Sequence, residues 1–193
     1  LLAIARNRDG QVEMRVHPTL IPHHHVLANV NDAYNAVHVH GNAVGNIMLY
    51  GLGAGMRPTG SAVVSDLIDL ARDIIGNTPG RIPPLAFRRE TLKEAVIKPI
   101  TEITTCYYFR FAVLDRPGVL SKIAGVLGEN QISIAAVIQK GRQVEEAVPI
   151  VMLTHEALER SVQKALAEIN RLDVVAGPTR LIRIENEETG SVA

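Results

Sequence analysis

The chain contains TTCYYFRFAVL at residues 104–114, and DRPGVL follows directly at residues 115–120. The first segment is rich in aromatic and β-branched residues, which favour a strand. In the second, Pro117 suits a helix start, because the N–H that proline lacks would have no partner there. An apolar face then repeats at helical spacing as far as Gly128. This stretch therefore predicts a strand that leads into a helix.

The residues after Gly128 continue the pattern. They predict a strand over 131–139, a turn at Gly141-Arg142, a strand over 145–154, a helix over 156–170 and a strand over 174–184, with a polar tail behind. The order is β-α-β-β-α-β in about 80 residues, which is typical of a ferredoxin-like unit.

The residues before this unit predict strands, then a helix. Apolar and polar residues alternate over 12–16, as in a half-buried strand, and 35–50 reads as an antiparallel hairpin around Gly41-Asn42. A helix packed by one apolar face is expected over 58–75. The fold class is therefore α+β: an antiparallel or mixed sheet with a helix, then the βαββαβ unit. The expected domains are 1–76 and 101–187, with a linker at 77–100 and a tail at 188–193.

Composition excludes several classes of protein. The 193 residues carry 20 Lys+Arg and 20 Asp+Glu, and this balance argues against a nucleic-acid binder or an anionic-membrane binder. The single cysteine, Cys106, excludes an internal disulfide and a cysteine-based zinc site. No apolar run approaches the ~20 residues of a membrane span, so a cytoplasmic protein is expected. Because the chain opens on Leu1 in an apolar run, we expect it to be part of a longer protein.

The segment from Asp115 to Leu120 is a candidate ligand site. A helix start presents unpaired backbone N–H groups and a positive dipole end, which suit a carboxylate. Gly118 would permit close approach and Asp115 could accept an amino group. The alternative is a plain helix cap with a packing glycine.

The βαββαβ order, DRPGVL and Ile132-Ser133-Ile134 together resemble the ACT domain, an amino-acid-sensing module of biosynthetic enzymes. In that family the effector often lies between two ACT units, near this loop and the following strand. Many members have Asn where this chain has Ser133. The resemblance implies one set of effector-binding residues: Asp115, Arg116, Pro117, Gly118, Val119, Leu120 and Ser133.

A second motif, YGLGAGMRPTGSAVVSD, occupies residues 50–66. Alternate glycines between a strand and a helix let the backbone pass close to a ligand or a neighbouring element. The Gly-x-Gly-x-Gly spacing and the preceding hairpin do not fit a Rossmann fingerprint. By itself the cluster is more typical of a tight turn.

This motif, together with VHPTLIP at 16–22 and Asn35-Ala36-Val37, resembles bacterial homoserine dehydrogenase, over essentially the whole chain. The resemblance implies an enzyme that uses NADP or NAD to interconvert aspartate 4-semialdehyde and homoserine, with amino-acid feedback, most plausibly by threonine. It places the glycine-rich turn beside the cofactor, which gives four cofactor-binding candidates: Gly51, Gly53, Ala54 and Gly55. The family's nucleotide-binding domain and catalytic lysine would precede Leu1, so no catalytic residue is assigned and this chain alone is expected to be inactive.

The implied partners are a small-molecule substrate, an amino-acid effector and a second copy of the chain, with no nucleic acid or membrane. Two alternatives stay open: a non-catalytic amino-acid-binding regulatory protein, and an assembly module whose ACT domain only dimerises. His38 and His40 share a strand face, and His23 to His25 lie upstream. A metal site is not assigned, because no acidic residue or cysteine completes an evident ligand set.

Overall fold

In a computed structural model, the chain forms two compact units. The structure describes residues 1–8, 10–78, 85–139 and 147–186. The first unit combines Leu1–Pro22 with Ala95–Ala193, and the second is His23–Glu94. This division differs from the expected boundary at residue 76, because the first 22 residues pair with strands from the second half of the chain.

The elements of the described residues have these bounds in chain order: β1 Leu2–Arg8, β2 Gln11–His17, β3 Thr19–Leu20, β4 Tyr34–Gly41, β5 Gly45–Leu52, α1 Met56–Ile75, β6 Val96–Ile97, β7 Thr104–Leu114, α2 Val119–Glu129, β8 Ile134–Gln139, β9 Ala147–Thr154, β10 Ala157–Leu158, α3 Glu159–Ile169 and β11 Val175–Ile184. Short 3-10 helices lie at Val26–Asn29, Arg89–Thr91 and Ile100–Glu102. The turn at Gly141-Arg142, the start of the 145–154 strand and the predicted tail lie outside the described residues.

The main sheet of the first unit has the strand order β3-β11-β7-β9-β8, with β10 paired to β7. Strands β11, β7, β9 and β8 are antiparallel neighbours throughout. With α2 between β7 and β8, and α3 between β9 and β11, this is the βαββαβ arrangement. The predicted α+β fold class is confirmed.

The core lies between this sheet and its two helices. Alternate residues of β7 are buried, as one face of a strand requires, and they include Tyr107, Phe109 and Phe111. Helices α2 and α3 contribute six buried apolar residues to the same core: Val119, Ile123, Leu127, Val162, Ala165 and Ile169. The helices therefore cover one face of the sheet.

Two boundaries differ from the sequence prediction. Strand β8 begins at Ile134 rather than residue 131, because Gln131 has a φ of 59° and Ile132 is buried in the core. Helix α3 begins at Glu159 rather than residue 156, because Ala157 and the residue after it pair with β7 first.

A small sheet of order β1-β2-β6 completes the first unit. Its strand β2 buries Glu13, Arg15 and His17, while Met14 and Val16 are 57% and 67% exposed. The buried side of this half-buried strand is therefore the polar one. Strand β3 then joins the main sheet by parallel pairing with β11.

The second unit contains the β4–β5 hairpin and α1, as predicted. The expected packing of α1 by one face is not seen, because no residue of this helix is buried. Its apolar stripe includes Val63, Leu67 and Ile68, which are 46% to 59% exposed. Val39, Leu49 and Tyr50 of the hairpin are exposed as well. The described residues thus leave apolar surface on both elements of this unit.

Candidate functional site

The loop between β7 and α2 contains four of the seven predicted effector residues, and the first two residues of α2 supply two more. Gly118 precedes α2 with φ 87° and ψ −9°, in the left-handed region that glycine adopts without strain. No side chain caps the helix there. Val119 is buried in the core, whereas Arg116, Pro117, Gly118 and Leu120 are exposed. The loop therefore offers an accessible helix start, at which backbone N–H groups favour an anion.

Charged groups surround this helix start. The Lys122 ammonium donates a hydrogen bond of 2.9 Å to the Asp173 carboxylate. This bond and the charges of Lys122 and Arg116 lower the pKa of Asp173. Asp115 is half-buried beside the exposed Arg116. The loop thus holds both signs of charge, which suits a zwitterionic amino acid.

Ser133 does not join this loop within one chain. It precedes Ile134, which lies opposite Thr154 of β9, whereas Leu114, just before the loop, lies opposite Ala147. Seven residues of β9 separate the two levels, or about 23 Å at ~3.3 Å per residue. The predicted effector residues therefore lie at opposite ends of the sheet.

The backbone at Gly118 can be tested against a second glycine of the same segment. Gly118→Ala is expected to lower the free energy of unfolding by roughly 1–2 kcal/mol, because alanine is strained at positive φ. Gly125→Ala, inside α2, is expected to raise it by about 0.5–1 kcal/mol, because alanine is the better helix former. An added Cβ would meet no atom within 4 Å at either position, so only the backbone differs.

Urea unfolding of both variants measures this contrast. Equal effects of the two alanines would contradict the left-handed conformation at Gly118.

The glycine-rich turn lies in the second unit, between β5 and α1. Gly51 pairs with Asn35 of β4, one residue before β5 ends, and a Cβ there would meet no atom within 4 Å. A Cβ on Gly53 would lie 2.0 Å from Asn35 Nδ2, and Gly55 has a φ of 121°. Ala54 and all three glycines are exposed. The turn therefore presents bare backbone, with Gly53 close to the exposed Asn35 side chain and Gly55 at a positive φ that favours glycine.

Sequence reasoning missed a buried polar cluster at Glu159. This carboxylate is 2% exposed and accepts hydrogen bonds from Tyr107 Oη at 2.8 Å, Arg183 Nε at 2.7 Å and Gln163 Nε2 at 2.8 Å. Burial would raise the pKa of Glu159, but these hydrogen bonds outweigh it and lower the pKa. Burial and the adjacent Glu159 carboxylate raise the pKa of Tyr107. The cluster is fully hydrogen-bonded, which indicates a structural role.

A second polar cluster, also missed, holds the β1–β2 hairpin. Arg15 donates to Glu13 at 2.9 Å and to Glu185 at 2.7 Å, and Arg6 also pairs with Glu185. Lys98 Nζ lies 3.5 Å from Glu13. These side chains come from both ends of the first unit's sequence. The alternation of polar and apolar residues along β2 was the only signal of this cluster in the sequence.

The histidines do not form a metal site in the described part of the chain, where no group of three His, Cys, Asp or Glu side chains is placed to bind an ion. His25 and His38 make an edge-to-face ring contact at 5.5 Å, and His40 Nδ1 lies 2.7 Å from Asn46 Oδ1. His17 is buried, and burial lowers its pKa. Among the described residues, no helix has the length and apolarity needed to cross a membrane.

Comparison with known proteins finds two family matches. Residues 1–68 match the homoserine dehydrogenase family and residues 107–174 match the ACT domain. Relatives named homoserine dehydrogenase are 44% identical over 186 residues in Neisseria gonorrhoeae and 42% identical over 185 residues in Pseudomonas aeruginosa. These alignments cover 96% and 95% of this chain, and the chain spans 43% of the length of each relative.

Solved structures agree with these matches. A homoserine dehydrogenase from Thiobacillus denitrificans is 45% identical, with a TM-score of 0.84. The alignment covers 95% of this chain and 41% of the Thiobacillus denitrificans chain. The Staphylococcus aureus homoserine dehydrogenase at pH 6.0 is 25% identical, with a TM-score of 0.57. The alignment covers 95% of this chain and 40% of the Staphylococcus aureus chain.

Proposed function

Because the chain belongs to the homoserine dehydrogenase family and carries an ACT domain, we propose that it provides the substrate-domain and regulatory parts of an amino-acid-regulated homoserine dehydrogenase. The whole enzyme interconverts aspartate 4-semialdehyde and L-homoserine with NAD or NADP, in threonine and methionine biosynthesis in the cytoplasm. The observation that carries this proposal is the presence of both family matches on one chain of 193 residues.

The glycine-rich turn is the proposed cofactor-adjacent segment. Its exposed backbone at Gly51, Gly53, Ala54 and Gly55 fits a planar group lying against it, because none of these four residues carries a side chain larger than a methyl. When bound, the nicotinamide cofactor supplies the hydride chemistry. The role of these residues is to hold the backbone open and to orient what lies against it.

A chimera tests the proposed activity. This chain would replace the aligned 186 residues of the Neisseria gonorrhoeae relative, so that the rest of the enzyme comes from a protein 44% identical to it. The chimera should reduce NAD or NADP when L-homoserine is added, and this chain alone should not. A folded chimera without homoserine-dependent turnover would contradict the proposal, as would activity of the chain alone.

The effector site is proposed to form between two ACT units. Ser133 and the loop at Asp115 are about 23 Å apart along the sheet, so one chain cannot close a small ligand between them. Strand β8 is an edge of the sheet. Antiparallel pairing of two β8 edges about a twofold axis would bring Ser133 of one copy to the sheet end that holds the Asp115 loop of the other. Loop and serine would then line one site.

The exposed apolar surface of the second unit also supports a homodimer. Val39 and Leu49 of the hairpin are 47% and 66% exposed, and Leu67 of α1 is 59% exposed. Apolar surface of this kind on one unit marks an interaction site. We propose that the hairpin joins a sheet shared between two subunits.

L-threonine binding tests the regulatory half. We expect saturable binding in calorimetric titrations of this chain, with Gly118→Val weakening it at least tenfold, because a branched side chain at φ 87° strains the loop and covers the helix start. Ser133→Ala should weaken binding less.

Gly125→Ala serves as the control, since it lies on α2 away from the loop and should leave the affinity unchanged. A dimeric, folded chain that binds neither L-threonine nor another aspartate-family amino acid would instead support an assembly role for the ACT domain.

A further inference from the structure

The face of the main sheet opposite α2 and α3 carries an unassigned cavity of about 320 Å³. It is lined by Tyr108, Arg110, Ile138, Pro149 and Val151, from strands β7, β8 and β9. Its walls are apolar apart from the guanidinium of Arg110 and the hydroxyl of Tyr108. The volume falls near the lower end of the ~300–1,000 Å³ range of ligand pockets, so it suits a small molecule.

A second arginine lies beside this cavity. Arg180 of β11 is directly opposite Arg110 in the antiparallel register, and both side chains are exposed. Directly opposite residues share a sheet face, with Cβ atoms ~4.5–5.5 Å apart, and like charges in this arrangement destabilise the sheet. Among the described residues, neither guanidinium has an acidic partner, whereas Arg15 and Arg183 of the same unit are both paired with carboxylates.

We propose that this face binds a small carboxylate with an apolar body. The carboxylate accepts charge-assisted hydrogen bonds from Arg110 and Arg180, which relieves their repulsion. The apolar body fills the cavity against Ile138, Pro149 and Val151 and lies beside the Tyr108 ring. The cavity walls favour an apolar acid over inorganic phosphate, since phosphate has no apolar part to bury.

The other candidate occupant of the cavity is the same sheet face of a second copy of the chain. Charge argues against it, because a twofold contact would bring four guanidinium groups together with no carboxylate among the lining residues. The proposed ligand is separate from the amino-acid site at Asp115, since Arg110 lies within β7 and Asp115 follows its end. The inference therefore does not rest on the proposed function.

Phenylacetate is a suitable probe, with phenylacetamide as its uncharged counterpart and inorganic phosphate as the anion without an apolar body. Titration of the full isotope-labelled chain, followed by NMR, should show saturable shifts at the residues that line the cavity. Phenylacetate should bind at least tenfold more tightly than phenylacetamide. Equal affinity for the two, a preference for phosphate, or no binding of phenylacetate would overturn the proposal.

Variants separate the two charges from general effects. Arg110→Ala and Arg180→Ala should each weaken phenylacetate binding at least tenfold without lowering the thermal midpoint, because each removes a like-charge contact. Arg110→Lys should retain part of the affinity. Arg160→Ala, an exposed arginine on α3 in the opposite layer, should change nothing. Self-association that Arg110→Ala alters, without an effect on phenylacetate, would assign the face to a second copy and overturn the ligand proposal.

The two proposals can fail separately. Gly118→Val is expected to weaken L-threonine binding at least tenfold and to leave phenylacetate binding unchanged. Arg110→Ala is expected to weaken phenylacetate binding and to leave L-threonine binding unchanged. Loss of both ligands in either variant would overturn the assignment of two separate sites.

Discussion

Glu159→Ala is expected to lower the free energy of unfolding of the first unit by about 3–5 kcal/mol. The substitution leaves the Arg183 guanidinium and the Tyr107 hydroxyl without the acceptor that both use inside the unit. Removing one partner of a buried ion pair costs this much because the remaining charge is desolvated and unpaired. Urea unfolding followed by circular dichroism measures the difference. Glu156→Ala, an exposed glutamate three residues earlier, is the matched control and should stay within ~0.5 kcal/mol of the parent.

The same residue gives a pH dependence with a defined sign. The pKa of Glu159 is lowered from its usual 4.5, so the folded carboxylate binds its proton less readily than the unfolded one. Its contribution to stability is complete above pH 4.5 and is lost as the pH falls through the lower folded value. Glu159→Gln should lack this pH-dependent contribution to stability.

A loss of unfolding free energy below ~1 kcal/mol in Glu159→Ala would show that the cluster is solvated rather than buried.

Arg15→Ala is expected to cost about 3 kcal/mol and to loosen the β1–β2 hairpin. Arg15 pairs with Glu13 and Glu185, and its side chain is 2% exposed. Without it, Glu13 remains buried, and its remaining cationic partner among the described residues is Lys98 at 3.5 Å. Hydrogen exchange should show faster opening of Leu2–Arg8 and Gln11–His17 than of β7. Met14→Ala is the control, since this neighbouring side chain is 57% exposed on the other face of β2.

A double-mutant cycle tests the same ion pairs from the other partner. Arg15→Ala and Glu185→Ala should cost less together than the sum of the single variants, because both disrupt one network. Additive costs would contradict the role of Glu185 as the anchor of the hairpin.

Much of the first unit could be predicted because its periodicities are local. Strand β7 matches its predicted bounds at both ends, since aromatic and β-branched residues fill Thr104–Leu114 and Pro117 follows. The two compact units do not follow the predicted boundary at residue 76, because Leu1–Pro22 pairs with strands that are distant in sequence. Arg15 and Glu185 are separated by 170 positions, and no local pattern reports such a contact.

The candidate sites also have a part that the sequence predicted and a part that it did not. Residue types at the Asp115 loop and at Gly51 to Gly55 suggested a ligand from the sequence. The separation of Ser133 from that loop follows from topology. The two strands of a β-α-β unit run parallel, so the C-terminal end of β7 and the N-terminal end of β8 lie at opposite ends of the sheet. The Arg110–Arg180 pair depends on the register of β11 against β7, which includes two irregularities that sequence does not reveal.

The attachment of the hairpin to Glu185 and of β3 to β11 has a consequence for synthesis on the ribosome. Residues 1–22 are made before every partner that completes their sheet, and β11 with Glu185 follows more than 160 residues later. At ~5–20 residues per second, Arg15 waits about 9–34 s for Glu185, with Glu13 of the same strand as its earlier counter-charge. The buried side of β2 is charged rather than apolar, so the waiting segment stays hydrated and resists early aggregation. We therefore expect the polar interior of this hairpin to keep the nascent segment hydrated until the last strand arrives.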